Sequence, residues 1–297
     1  MTRDHHALPF LAVIAGIMTF SLMDALMKGA SIAVGAYSAM LVRSVFGVLL
    51  MAPLWRGTGG TWPALSALKL HALRGAISAV MATTFFYSLV RLPLAEAIAL
   101  SFIAPLIALY LAAVMLKEQV GRGAVLASLF GFAGVLVIAG GRIGTTTYTP
   151  EIGWGIAAVL LSAVLYAVNL ILQRKQAQIA SPQEVALFQM GFSGLFLLLA
   201  APWLLVLPGW STAAAVLASA ALAAGSLMLI SWGYGRVEAQ ALLPIEYSAF
   251  IWAALLGWLM FDEAVTGATL AGAGLIVTGC WLAARQTRPV ANEMTAL

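Results

Sequence analysis

Four side chains able to hold a charge or a strong hydrogen bond stand inside otherwise apolar stretches of this chain: Asp24, Arg43, Asn169 and Glu246. A charge in hydrocarbon persists when it is paired, faces a water-filled cavity, or handles a solute or a proton. Asp24 falls about 22 Å along the first apolar run and Arg43 about 10 Å into the second, one depth if the runs are antiparallel helices. The two are expected to pair, with Lys28 one turn beyond Asp24 as a competitor. Such a pair reads either as a structural ion pair at the rim or as a substrate gate. Glu246 lies about 11 Å into its run, with no basic residue on the same helix. It reads as a cavity-facing acid on a solute or proton path, or as a hydrogen-bonded structural acid.

Pro105 interrupts a further run, and Pro244 interrupts the run that holds Glu246. Each removes a backbone donor and frees a carbonyl, which permits either a kink or a ligand contact. Around them stand Thr84, Tyr87, Ser88 and Ser101 in the first half, and Tyr166, Asn169, Ser231, Trp232, Tyr247, Ser248 and Trp252 in the second. Hydroxyls, an amide and aromatic faces with few charges suit a small amphipathic solute. No nucleophile–base pair, phosphate loop or His-Glu-x-x-His run occurs, and His5, His6 and His71 form no ligand set. The expectation is therefore a protein that is not an enzyme and carries no cofactor or metal.

The elements that must position these residues follow from composition. The chain is 63% hydrophobic and 9% charged, with a mean hydropathy of +1.01, whereas a soluble domain needs roughly 25% charged residues to solvate its surface. Its solvent must be lipid. The net charge of +4 is spread singly between apolar runs rather than gathered into a stripe, which excludes a nucleic-acid partner. The lone Cys280 excludes an internal disulfide. At about 20 residues per crossing, ten spans are expected: Pro9–Lys28, Ala36–Trp55, Leu73–Leu92, Leu94–Met115 and Gly123–Gly140, then Ile152–Leu172, Glu184–Leu207, Thr212–Gly235, Ala239–Phe261 and Thr266–Ala284. With the N-terminus inside, only Lys28, Arg91 and Arg142 fall outside, so the positive-inside rule puts both termini in the cytoplasm. Trp55, Trp62, Trp154, Trp203 and Trp210 sit near span ends, as interfacial residues do.

A shift of 145 residues pairs Arg91 with Arg236, Met115 with Met260, Glu118 with Glu263 and Gly134 with Gly279, and sets Asp24 against Asn169. Five spans per half is an odd number, so the second half would run inverted, as in secondary transporters whose site lies between the halves. The expected organisation is an all-α membrane protein: one five-helix repeat over residues 9–140, a second, inverted one over 152–285, a central cavity between them, and a short tail over 286–297. Glu118 and Glu263, in short joints, are expected to cap the helices that follow. Small residues in spans five and ten allow close packing inside one molecule, the expected monomer, or a homodimer face.

Arg43 within Leu41-Val42-Arg43-Ser44-Val45-Phe46, the run Phe85-Phe86-Tyr87-Ser88-Leu89, Ala95-Glu96-Ala97, Pro105, and Glu118 with Gly134, echoed by Phe261-Asp262-Glu263 with Gly279, resemble the drug/metabolite transporter superfamily in its EamA-type, ten-helix branch. The likeness covers about Pro9 to Ala284 and is greatest to amino-acid exporters of the YddG type. Gly191 and Phe192 stand near where the second half would repeat Arg43, so that arginine is not duplicated. The resemblance implies a bacterial inner-membrane exporter of neutral, hydrophobic or aromatic amino acids or similar small metabolites by alternating access. The alternative is proton-coupled export of cationic drugs through Glu246.

Overall fold

A computed structural model describes residues 7–104, 107, 111, 122–143, 149–177, 179–234 and 248–286. Every regular element among them is a helix: α1 (Ala7–Val34), α2 (Ala36–Gly57), α3 (Leu65–Leu89), α4 (Leu94–Ser101), α5 (Arg122–Ile143), α6 (Pro150–Ala177), α7 (Pro182–Leu198), the single turn α8 (Ala201–Leu204), α9 (Trp210–Tyr234), α10 (Ser248–Phe261) and α11 (Gly267–Gln286). Five of the described helices, α1, α2, α3, α6 and α9, are long and apolar enough to cross a bilayer.

The helices are amphipathic inside out. On α1, Ser21, Asp24, Lys28 and Ser31 recur at three- and four-residue spacing and are buried, while Leu8, Leu11, Ile14 and Met18 are exposed. Water would reverse that arrangement, whereas lipid solvates the apolar face and leaves polar groups to find partners within the bundle. Trp62, Trp154, Trp203 and Trp210 are likewise exposed. Trp55 is not: it is buried edge-on against Trp62 and Phe188.

Helix limits depart from expectation in two informative places. The third span begins eight residues early, at Leu65 rather than Leu73, so Lys69 and His71 stand on α3 and not in a loop. The seventh span stops at Leu198 rather than running to Leu207. Pro202 has no N–H to give the Leu198 carbonyl and its ring would crowd that carbonyl. The chain restarts as α8 and then runs without helix to Trp210. The joint between α1 and α2 is the single residue Gly35, whose φ of 82° only glycine adopts without strain.

Packing is dominated by a few helix pairs. α1 lies against α9 and α10, α3 against α6 and α7, α2 against α7 and α9, α4 against α10 and α6, and α5 against α11. Within the last pair a Cβ on Gly134 would meet the Gly272 carbonyl at 2.5 Å, and one on Gly272 would meet the Gly134 carbonyl at 2.6 Å. Backbone touches backbone there, as small residues allow.

Candidate functional site

Three groups of buried polar side chains lie inside the bundle, and they differ in how fully they are satisfied. At one end of α3, Lys28 of α1 donates to the Leu92 carbonyl (2.8 Å) and to Glu263 Oε1, and its ammonium stands 5.1 Å from the centre of the Phe261 ring. Glu263 Oε2 accepts from the Leu94 N–H at 2.7 Å. One carboxylate thus caps the positive end of α4 and neutralises a buried lysine, tying α1, the α3–α4 joint and the α10–α11 joint together. This corrects the expected role of Glu263, since α11 is capped instead by Thr266, whose hydroxyl oxygen accepts from the Thr269 N–H at 3.1 Å. The aim of Glu263 is set by the backbone. Asp262 closes α10 in the left-handed region (φ 52°), and the Glu263 N–H returns to the Gly257 carbonyl at 3.1 Å. That closure, reaching six positions back along the chain, turns the carboxylate over the bare α-carbon of Gly257.

At the other end of α3, about 27 Å away along its axis, Arg74 Nε donates to Asn169 Oδ1 and Nη1 to Gln176 Oε1, both at 2.6 Å. Gln176 Nε2 lies 2.8 Å from His71 Nδ1, and His71 Nε2 lies 3.1 Å from Glu184 Oε1. His71, Arg74 and Gln176 are buried, and the His71 ring stacks on Phe188. Glu184 belongs to a Ser-x-x-Glu start in which the Ser181 hydroxyl oxygen accepts from the Glu184 N–H at 3.2 Å. In a capping box the glutamate turns back to its own helix; here it reaches across to α3.

Between these ends lie Asp24 and Arg43. Asp24 is buried, and among the described residues no donor reaches its carboxylate. The expected ion pair with Arg43 is not formed, although each charge acts on the other. Arg43 Nη1 rests instead 3.2 Å from Met23 Sδ, with the guanidinium 5.7 Å from the centre of the Phe86 ring. Lys28 does not compete for Asp24 because Glu263 and Leu92 hold it. A thioether is a weak acceptor, so the guanidinium keeps donors to spare.

The profile of the EamA-like transporter family matches this chain twice, over residues 8–140 and 153–285. The chain belongs to the EamA-like transporter family. It is therefore an integral membrane transporter. Among its relatives, a pseudopaline exporter of Pseudomonas aeruginosa is 27% identical across 91% of this chain and 93% of that protein. A riboflavin transporter of Rhizobium johnstonii is 25% identical across 90% and 87%. The aromatic amino acid exporter YddG of Ancylobacter novellus is 28% identical across 67% and 70%. A solved crystal structure, 22% identical, shares the fold with a TM-score of 0.65 over 96% of this chain and 98% of that one.

Within this EamA-like chain the other expected site residues separate by what holds them. Thr84, Ser88 and Ser101 donate to carbonyls of their own helices, Val80, Phe85 and Ala97 respectively. Tyr87 is exposed and lies under the Arg91 guanidinium, 3.5 Å from its ring centre. Tyr166 and Trp232 are at the bundle surface, and Asn169 is held by Arg74. Ser248 and Trp252, one turn apart on α10, present a buried hydroxyl and a buried indole nitrogen that find no hydrogen-bond partner among the described residues, as does Thr83 on α3. Buried polar atoms left so are rare and call for a ligand or water. Pro105, Pro244, Glu246, Tyr247, Glu118 and the Ser231 side chain lie outside what is described. Sequence reasoning missed Arg74, His71 and Gln176. Their signal was spacing: His71 and Arg74 share a face three apart, and Asn169 and Gln176 share one seven apart.

Proposed function

We propose that this transporter exports zwitterionic amino acids with hydrophobic or aromatic side chains, or similar small metabolites, by alternating access across a bacterial inner membrane. The observation that carries the reading is Asp24 with Arg43: a buried acid and a half-buried arginine held close but not spent on each other. A guanidinium with free donors receives a carboxylate, and a carboxylate without donors receives an ammonium. Phe86 beside Arg43 supplies an aromatic wall. One relative is an aromatic amino acid exporter, which supports the solute class.

The architecture that serves this activity is ten spans in two inverted five-helix repeats, 9–140 and 152–285, with both termini cytoplasmic. Two features of the helices support it. The 145-residue shift carries α3 (Leu65–Leu89) onto α9 (Trp210–Tyr234) and α5 onto α11. The same shift exchanges the contact of α1 with α9 for that of α6 with α3, and leaves α5 with α11 paired. The shift also explains why Asp24 is available. Its equivalent, Asn169, meets Arg74, but the equivalent of Arg74 on α9 is Ser219, whose hydroxyl donates to its own Val216 carbonyl.

Two measurements test this reading. Single cysteines at Gly57 and Gly209, both exposed positions without neighbours, should react with an impermeant thiol reagent from opposite faces of the membrane; reaction from one face would remove the inverted topology. Proteoliposomes loaded with phenylalanine, tryptophan or leucine should exchange labelled amino acid at least tenfold faster than empty vesicles. If folded protein moves no member of such a panel, the solute assignment is wrong.

A further inference from the structure

An arginine only donates hydrogen bonds, and that fixes the direction of every bond in the cluster around Arg74. Gln176 Oε1 faces Arg74 Nη1 and must accept, so the Gln176 amide nitrogen faces the other way. It faces His71 Nδ1, and because an amide nitrogen only donates, Nδ1 accepts and carries no proton. The ring proton is then on Nε2, donated to Glu184 Oε1. The bonds run one way, from Arg74 on α3 to Gln176 on α6, back to His71 on α3, and on to Glu184 on α7.

A second ring proton has no place in this arrangement. On Nδ1 it would point at the Gln176 amine, and turning that amide would set the same amine against Arg74. Among the described residues, the other groups around the cluster offer no remedy. On α6, Asn169 is held by Arg74 Nε, and Tyr166 acts on Arg74. On α2 the neighbour is an aromatic ring, Trp55, packed on the Phe188 that covers His71. Lys69 and Lys175 point outward on α3 and α6. The imidazole is shut from water, so a proton reaches it only if α3, α6 and α7 separate.

We infer that His71 is a proton-binding site of the transport cycle, empty when this end of the bundle is closed and filled when it is open. Opening exposes Nδ1, which takes a proton from water; the resulting imidazolium stays paired with Glu184, and the proton must leave before Gln176 can return. Acidifying this face therefore holds it open, and each closure returns a proton to it. The inference rests on this end opening during transport and not on which solute moves.

The test uses the full chain in lipid nanodiscs without solute, with Cys280→Ser, and spin labels on cysteines replacing the exposed Ser66 of α3 and Ile179 after α6. Pulsed dipolar spectroscopy should show the longer-distance population rising at least threefold between pH 8 and pH 5.5. His71→Gln should abolish that response. Gln176→Glu should keep the short distance at pH 5.5, because a carboxylate accepts from both Arg74 and a protonated Nδ1. No pH response in the unsubstituted chain, or a response surviving in His71→Gln, would overturn the inference. If His71→Gln does not fold, acid opening that persists in Gln176→Glu overturns it. Amino-acid flux with a pH-insensitive distance counts against this proton site alone, and lost flux with an intact pH response counts against the solute assignment alone.

Discussion

Neutralising either charge where α1 meets α2 is expected to slow solute movement sharply while the protein still folds. Asp24→Asn and Arg43→Gln should each lower amino-acid exchange in proteoliposomes by about 10- to 100-fold. That range corresponds to the roughly 1.5–3 kcal/mol of a hydrogen bond to a charged group, at 1.4 kcal/mol per tenfold. Arg43 has a thioether and a ring for neighbours, and Asp24 has no donor among the described residues. Little native bonding is lost when either is changed, so the loss should appear in transport rather than in thermal stability. The double variant should be no more active than the worse single. Recovery of exchange in the double variant would mean that the two charges serve each other and not a solute.

The opposite pattern is expected at Lys28 and Glu263, where every polar atom is committed to protein. Glu263→Gln leaves a buried ammonium facing a neutral amide, and breaking a buried pair from one side costs about 3–5 kcal/mol. Thermal unfolding followed by size-exclusion chromatography should show that single variant to be far less stable than the parent. Lys28→Met with Glu263→Gln should recover most of the loss, because glutamine still accepts from the Leu94 N–H and methionine fills the lysine stem's space. Additive losses in the double variant would show that the two side chains are not coupled.

The membrane class and most helices were legible in the sequence because both rest on composition and length, which survive any error in side-chain placement. Apolar runs near α1, α2, α9 and α11 needed no tertiary information. The start of α3 was misread for a physical reason: Lys69 and His71 look like a solvated loop until α6 and α7 supply Gln176 and Glu184 to hold His71. A partner 95 or more residues away leaves no local trace. The Asp24–Arg43 neighbourhood was legible from depth alone, yet its bonding was not, since depth does not say which rotamer a guanidinium takes or that Met23 will receive it. Glu263 was recognised as a cap, but for the wrong helix, because nearness in sequence favours the next helix and only the fold brings Leu94 beside it.

The Asp262 turn has a consequence for how this protein can change over generations. A side chain at 257 would crowd Glu263 Oε2 at 2.8 Å, and Asp262 holds a backbone angle that β-branched residues avoid. Either change would swing the carboxylate off its two targets while leaving its own identity intact. Gly257, Asp262 and Glu263 therefore behave as one inherited unit, in which a substitution tolerated in one background is lethal to the contact in another. A lineage that gives up the acid at 263 releases the other two at the same moment, and they become free to drift.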